Sequence, residues 1–143
     1  MIDSTETPSV LRLRVPAKAE YLVLGRLVLS GLARARPIDP DALSDLKLAL
    51  TEACSNSMRH AYGPDGGTVD ISFELGRGFL AIEVVDDGPA FEPAARVVHD
   101  PDQLDEGGLG LAIIEAVSDA VERGPAAGRS GNRIRFVKRL VEG

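Results

Sequence analysis

Leu11, Leu13 and Val15 alternate with Arg12 and Arg14, the period of two expected of a strand with one buried face, and Pro16 ends the run. From Ala17 to Ala35 the spacing changes: Tyr21, Leu22, Leu24, Leu27, Val28 and Leu32 recur at helical intervals until Pro37 and Pro40 interrupt them. A second helix follows, for which Asp41 is the expected cap. It carries Leu43, Leu46, Leu50, Ala53, Cys54, Met58 and Ala61 on a core-facing stripe, and Asp45, Glu52, Asn56 and His60 on a polar one.

The turn cluster Gly63 to Gly67 leads to Val69, Ile71, Phe73 and Leu75, each separated by a polar residue. Gly76, Arg77 and Gly78 then return the chain into an apolar run from Leu80 to Asp86, which predicts a hairpin. Between Gly88 and Gly108 no period is sustained and Pro89, Pro93 and Pro101 recur, so the segment reads as a functional loop, a lid over residues 88–107. Leu111, Ile113, Ile114, Val117, Ala120 and Val121 make a third helical pattern that begins after the glycines and closes at Gly124 and Pro125. The alternating tail from Arg133 to Leu140 is a last strand, after a turn at Gly128 to Asn132 and a short strand near Val121 to Arg123. This order predicts an α+β fold, a two-layer sandwich with a mostly antiparallel sheet and three helices on one face.

A chain of 143 residues, 44% hydrophobic, can bury one core without disulfides, so one domain over residues 1–143 is expected, with residues 1–9 flexible. The formal net charge of -6 argues against nucleic acid or an anionic membrane as partner. A single cysteine fits a core role in a reducing compartment. The polar start lacks a secretory pattern, and the apolar window from Tyr21 to Ala33 is too short to cross a bilayer. A cytoplasmic protein is expected. Arg12, Arg14, Arg133, Arg135, Lys138 and Arg139 fall on positions read as outward on the first and last strands. They describe a solvated sheet face or, alternatively, a surface for an acidic protein.

Three segments carry candidate chemistry. Glu52, Asn56 and His60 recur every four residues, so they share one helix stripe; such a stripe is often only solvated surface. In a functional site the Asn56 oxygen suits Mg2+, and Glu52 can orient or deprotonate a nucleophile. Asp86, at a strand end, can accept from the exocyclic amine of adenine, with Gly88 letting the backbone approach the ring; alternation turns Asp87 the other way. Gly107, Gly108 and Gly110 at a helix start offer free amides and a positive dipole end to phosphates. The spacing is neither a dinucleotide fingerprint nor a P-loop.

The run Glu52-Ala-Cys-Ser-Asn56-Ser-Met-Arg-His60-Ala-Tyr62, followed by Asp86-Asp-Gly88 and Gly107-Gly-Leu-Gly110, resembles the GHKL superfamily with its Bergerat ATP-binding fold. Within it the chain is most similar to anti-sigma-factor serine kinases of the RsbW and SpoIIAB type. That resemblance implies Glu52 as catalytic base and Asn56 as Mg2+ ligand. It also implies a nucleotide site made from Asn56, Arg59, His60, Asp86, Gly88, Ala90, Gly107, Gly108, Leu109 and Gly110. ATP and Mg2+ would be the cofactors, an anti-anti-sigma protein with a STAS domain the phosphoryl acceptor, and a sigma factor the sequestered partner of a homodimer. The sequence departs from the family boxes at Ala90 and Glu106, where glycines are usual. Those departures leave a non-catalytic nucleotide- or sigma-binding module as the alternative, with an ATPase part of a split two-component system as a third.

Overall fold

The computed structural model describes residues 8–60, 67–88, 106–128 and 131–140. Its elements are β1 (Ser9–Pro16), α1 (Leu22–Ala35), α2 (Pro40–His60), β2 (Thr68–Gly76), β3 (Phe79–Asp86), α3 (Glu106–Val117), β4 (Ala120–Pro125) and β5 (Asn132–Arg139). A single 3-10 turn, Ala19–Tyr21, leads into α1. The strands form one five-stranded sheet in the order β1-β2-β3-β5-β4, with every neighbouring pair antiparallel. The expected α+β architecture is therefore present.

Parity along the strands decides which face is covered. Val69, Ile71, Phe73 and Leu75 of β2, Leu80, Ile82 and Val84 of β3, and Ile134 and Phe136 of β5 are all buried on one side. Against them pack Leu46, Leu50, Ala53 and Cys54, the inward stripe of α2, together with Leu29 and Leu32 of α1 and Ile114 of α3. Helix α2 lies across β2, β3 and β5 and touches both other helices, so it is the central beam of the helical layer. Burial removes this apolar set from water at about 25 cal/mol for each Å2, which makes the sandwich the stable arrangement of these patterns.

Several boundaries differ from the sequence expectation. Helix α2 is capped by Asp39, whose Oδ2 accepts from the backbone amides of Asp41 at 3.1 Å and Ala42 at 3.2 Å. Pro40 takes the first helical position, where its missing N–H costs nothing, so Asp41 sits inside the first turn rather than before it. Helix α3 begins at Glu106, so Gly107, Gly108 and Gly110 form its opening turns instead of preceding it. Packing against α2 outweighs their poor helix propensity. Ser9, placed by the sequence in a flexible start, belongs to β1, and residues 1–7 lie outside the described residues. Residues 89–105, the greater part of the expected lid and including Ala90, lie outside the described residues, as do Ala61 and Tyr62.

The basic set is also corrected. Lys138 shares the parity of Ile134 and Phe136 and pairs with Leu80 across the sheet, so it points to the helical side. Its Nζ donates to Asp45 Oδ2 and to the carbonyl of Val117, both at 2.9 Å, tying the end of α3 to α2 and β5. A cation there also complements the negative end of the helix dipole. On the open face Arg14 pairs with Asp70, Arg133 with Glu83 and Arg135 with Glu74, at 2.6, 2.5 and 3.5 Å. Pairs on such a solvent-facing sheet surface contribute about 0–1 kcal/mol each.

Candidate functional site

Asp86 ends β3 on the covered side of the sheet. As direct antiparallel partners, Asp86 and Asn132 project from the same face into the space under α2. Asp86 is only 1% exposed, whereas Asp87, one residue further, is exposed, as alternation predicts. Asp86 Oδ1 accepts from Gly88 N at 3.0 Å, Asn132 N at 3.3 Å and Asn132 Nδ2 at 3.1 Å. A carboxylate so buried is held by hydrogen bonds, as the cost of desolvating it requires.

Asn56 faces the same cleft from α2. The cleft is lined by Ala53, Asn56, Ser57, Val84, Asp86, Arg123, Asn132, Arg133 and Ile134. Asn56 Oδ1 is buried and has no hydrogen-bond partner among the described residues. An orphaned amide oxygen costs on the order of 1–3 kcal/mol, so it is a group awaiting a partner. A neutral oxygen is a ligand that Mg2+ accepts, and this ion keeps several waters and phosphate oxygens of its own. Among the described residues no three His, Cys, Asp or Glu side chains gather into a metal cluster. The neutral Asn56 oxygen fits a cation of that kind. In this conformation the cleft holds about 10 Å3, the room of one water-sized sphere.

Glu52 sits one turn before Asn56 and is half-buried. The first turns of α3 lie over it: a methyl group built on Gly110 would stand 3.0 Å from Glu52 Oε1. Gly110 thus permits a close approach between the proposed phosphate end of α3 and the acid on α2. Leu109 is exposed, and Gly107 lies with Gly108 in the opening turn of α3. Arg59 and His60 occupy the last turn of α2; their side chains, like those of Glu106, Gly107 and Gly108, are outside what the structure describes. So the fold brings Asn56 and Asp86 to one cleft, bonds Gly88 to Asp86 and sets Glu52 against Gly110.

Sequence reasoning missed Gly131, Asn132 and Arg123. Gly131 has φ +131°, and a Cβ there would lie 1.9 Å from the carbonyl oxygen of Asp86, which excludes any side chain. Asn132 carried a legible signal, a polar residue on the inward parity of Ile134 and Phe136. Arg123 had none, because only the pairing of β4 with β5 brings it to the cleft. Burial pushes the Cys54 thiol up to about 12, so this cysteine is an inert core group.

A sandwich of this topology with such a cleft defines a class of ATP-binding domain. The family described as histidine kinase-like ATPase domain matches residues 15–138, and the chain belongs to that family. Serine-protein kinase RsbW of Bacillus pumilus (strain SAFR-032) is 36% identical over 145 residues, covering 94% of this chain and 90% of that protein. Serine-protein kinase RsbW of Bacillus subtilis (strain 168) is 38% identical over 120 residues, 78% of this chain and 75% of that one. The crystal structure of the RsbU and RsbW domains of Rv1364c from Mycobacterium tuberculosis matches 92% of this chain with a TM-score of 0.65. At 18% identity that likeness is one of fold, and this chain spans 32% of the longer one. No helix among the described residues is long and apolar enough to cross a membrane.

Proposed function

We propose that this chain is an ATP-dependent serine protein kinase that phosphorylates an anti-anti-sigma protein of the STAS type and, alternately, sequesters a sigma factor. The observation that carries this is one cleft holding both an orphaned amide oxygen on α2 and a buried carboxylate acceptor on β3. Identity of 36% to a serine-protein kinase over 94% of the chain supports it. Asp86 accepts from the 6-amino group of the base, and Gly88 leaves room beside the ring. The free amides at the start of α3 face the phosphates. The Asn56 oxygen would hold Mg2+, which when bound would supply charge neutralisation for the transferred phosphoryl group.

Glu52 takes the proton of the acceptor serine hydroxyl as its oxygen bonds to the γ-phosphorus. The bond from that phosphorus to the β,γ-bridging oxygen breaks, and ADP leaves with the electron pair. The same proposal places the protein in the cytoplasm as a homodimer, with one domain over residues 1–143 and a lid over residues 88–107. Neither nucleic acid nor membrane has a part in it.

The test is incubation with a STAS-domain protein, Mg2+ and radiolabelled ATP. Label on a serine of that protein, lost when Mg2+ is chelated, is the expected result. Intact binding of the STAS protein without labelling overturns the kinase reading. Tight binding of a sigma factor in that case leaves sequestration as the function.

A further inference from the structure

We infer that Lys138 is a positioning residue for the phosphate end of the nucleotide: by joining the far end of α3 to α2, it fixes how α3 lies along the stripe that carries Glu52 and Asn56. This rests on the proposal that the cleft binds ATP. Lys138 Nζ donates to Asp45 Oδ2 on α2 and to the carbonyl of Val117, the last residue of α3, each at 2.9 Å. One ammonium therefore holds a point on each helix. Its side chain is 19% exposed, so these bonds are made largely out of water, where an ammonium without acceptors is costly.

Strand β5 clamps the same end of α3. Asp119 N donates to the carbonyl of Val137 at 2.8 Å, and Asp119 Oδ2 accepts from the backbone amide of Arg139 at 2.6 Å. With Lys138 between them, three successive residues of β5 hold the carboxyl end of the helix. The amino end is built differently. Its glycines have poor helix propensity and Leu109 is exposed, so the end proposed to meet the phosphates takes its place from the end that is held.

Two contacts define the register of the helices. Seven residues separate Asp45 from Glu52, and seven separate Gly110 from Val117, a rise of about 10 Å on either helix. With Lys138 joining Val117 to Asp45, and Gly110 against Glu52, α3 runs antiparallel to α2 and both contacts are met at once. Four residues further, the same register brings Glu106, where α3 begins, level with Asn56. The unbonded amides of the first turn then open beside the Asn56 oxygen, an arrangement suited to an anion carrying a cation. A slip or rotation that put Leu109 or Leu111 in the place of Gly110 would press a side chain on Glu52, since even a Cβ there stands 3.0 Å from Oε1.

The test uses Lys138→Met, which keeps the stem but has no donor, and Lys138→Arg, which keeps a cation with donors for both acceptors. Affinity for ATP with Mg2+ is measured by calorimetry on the full chain. Affinity for adenosine, which has no phosphates, is measured by displacement against ATP, and thermal melting verifies folding. Lys138→Met is expected to lose about tenfold in ATP affinity, within the usual range of coupling between separated points of one structure, while adenosine affinity stays within about twofold. Lys138→Arg is expected to keep most of the ratio between the two ligands.

Equal losses for ATP and adenosine in Lys138→Met overturn the inference, since a residue that only stabilises the fold weakens both alike. Asp45→Ala cuts the same tie from its more exposed side and replaces Lys138→Met if that variant does not fold, with the same expectation. A wild type that binds neither ligand overturns the ATP proposal and this inference with it. Normal ATP binding by the wild type, with an unchanged ratio in Lys138→Met, overturns the inference alone.

Discussion

Asp86 and Asn56 face one cleft from opposite layers, and the fold treats them oppositely. The carboxylate on β3 is met by three donors of the protein itself, while the amide oxygen on α2 is met by none among the described residues. Burial costs both groups their water, so the difference lies in what replaces it. At Asp86 the protein itself supplies donors, all three of them to one carboxylate oxygen. At Asn56 no described residue supplies a donor to Oδ1, and under the proposed function a bound cation would do so and would stabilise the folded state.

The sharpest break in this contrast concerns Glu52, which belongs to neither class because the proposed function assigns it only to the transferred proton. Glu52→Gln should lower the rate of serine phosphorylation by about 10²–10⁴ while leaving ATP affinity within about twofold. Steady-state kinetics beside calorimetry read both quantities, and a loss confined to affinity would move Glu52 out of the chemical step.

Removing the Asp86 carboxylate should then cost folding. Asp86→Ala removes an acceptor shared by three donors, and urea denaturation of the nucleotide-free protein should show a loss of about 3 kcal/mol or more. Gly131→Ala follows at about 2–3 kcal/mol, from φ +131° and from contact with the Asp86 carbonyl, measured in the same way. An unchanged midpoint in either variant would mean that the end of β3 is looser than its hydrogen bonds indicate.

The Asn56 oxygen predicts the opposite sign. Asn56→Leu removes an orphaned oxygen, so the ligand-free protein should be as stable as the wild type or more stable by about 1 kcal/mol. Its melting temperature should no longer rise with ATP and Mg2+ together. A marked destabilisation without ligand would reveal a protein partner for Asn56 Oδ1.

A last effect, confined to alkaline pH, separates both groups from the dry core beside them. Burial holds the Cys54 thiol protonated to about pH 12, against 9.0 ordinarily, so the folded state keeps a proton that the unfolded chain releases. Stability from this residue is complete below about pH 9 and falls by up to ~1.4 kcal/mol per pH unit as pH rises toward 12. Comparing urea midpoints of the wild type and Cys54→Ala at pH 8 and pH 10 isolates that slope. Parallel shifts in the two proteins would contradict it.

Much of this was legible in the chain because it is local. Alternation in β2 and β3 named the buried residues and placed Asp86 inward and Asp87 outward, and the helical stripe of α2 put Glu52 and Asn56 together. Lys138 was misread because Val137 breaks the visual alternation of the last strand, although parity counted from Phe136 gives the observed inward direction. Asp41 was taken for the cap because it is the acid next to the helical pattern, while the geometry favours Asp39, one residue before a proline that starts helices well.

What the sequence determined by itself is the set of elements, the family and the residue types able to touch a nucleotide, since periodicity and short motifs act over a few neighbouring residues. The tertiary structure alone decided that β5 runs beside β3, setting Asn132 opposite Asp86 across 46 residues of chain, and that α3 settles on α2 with Gly110 against Glu52. Such pairings depend on which faces bury together and how closely two backbones approach, and no local pattern in the chain encodes that distance.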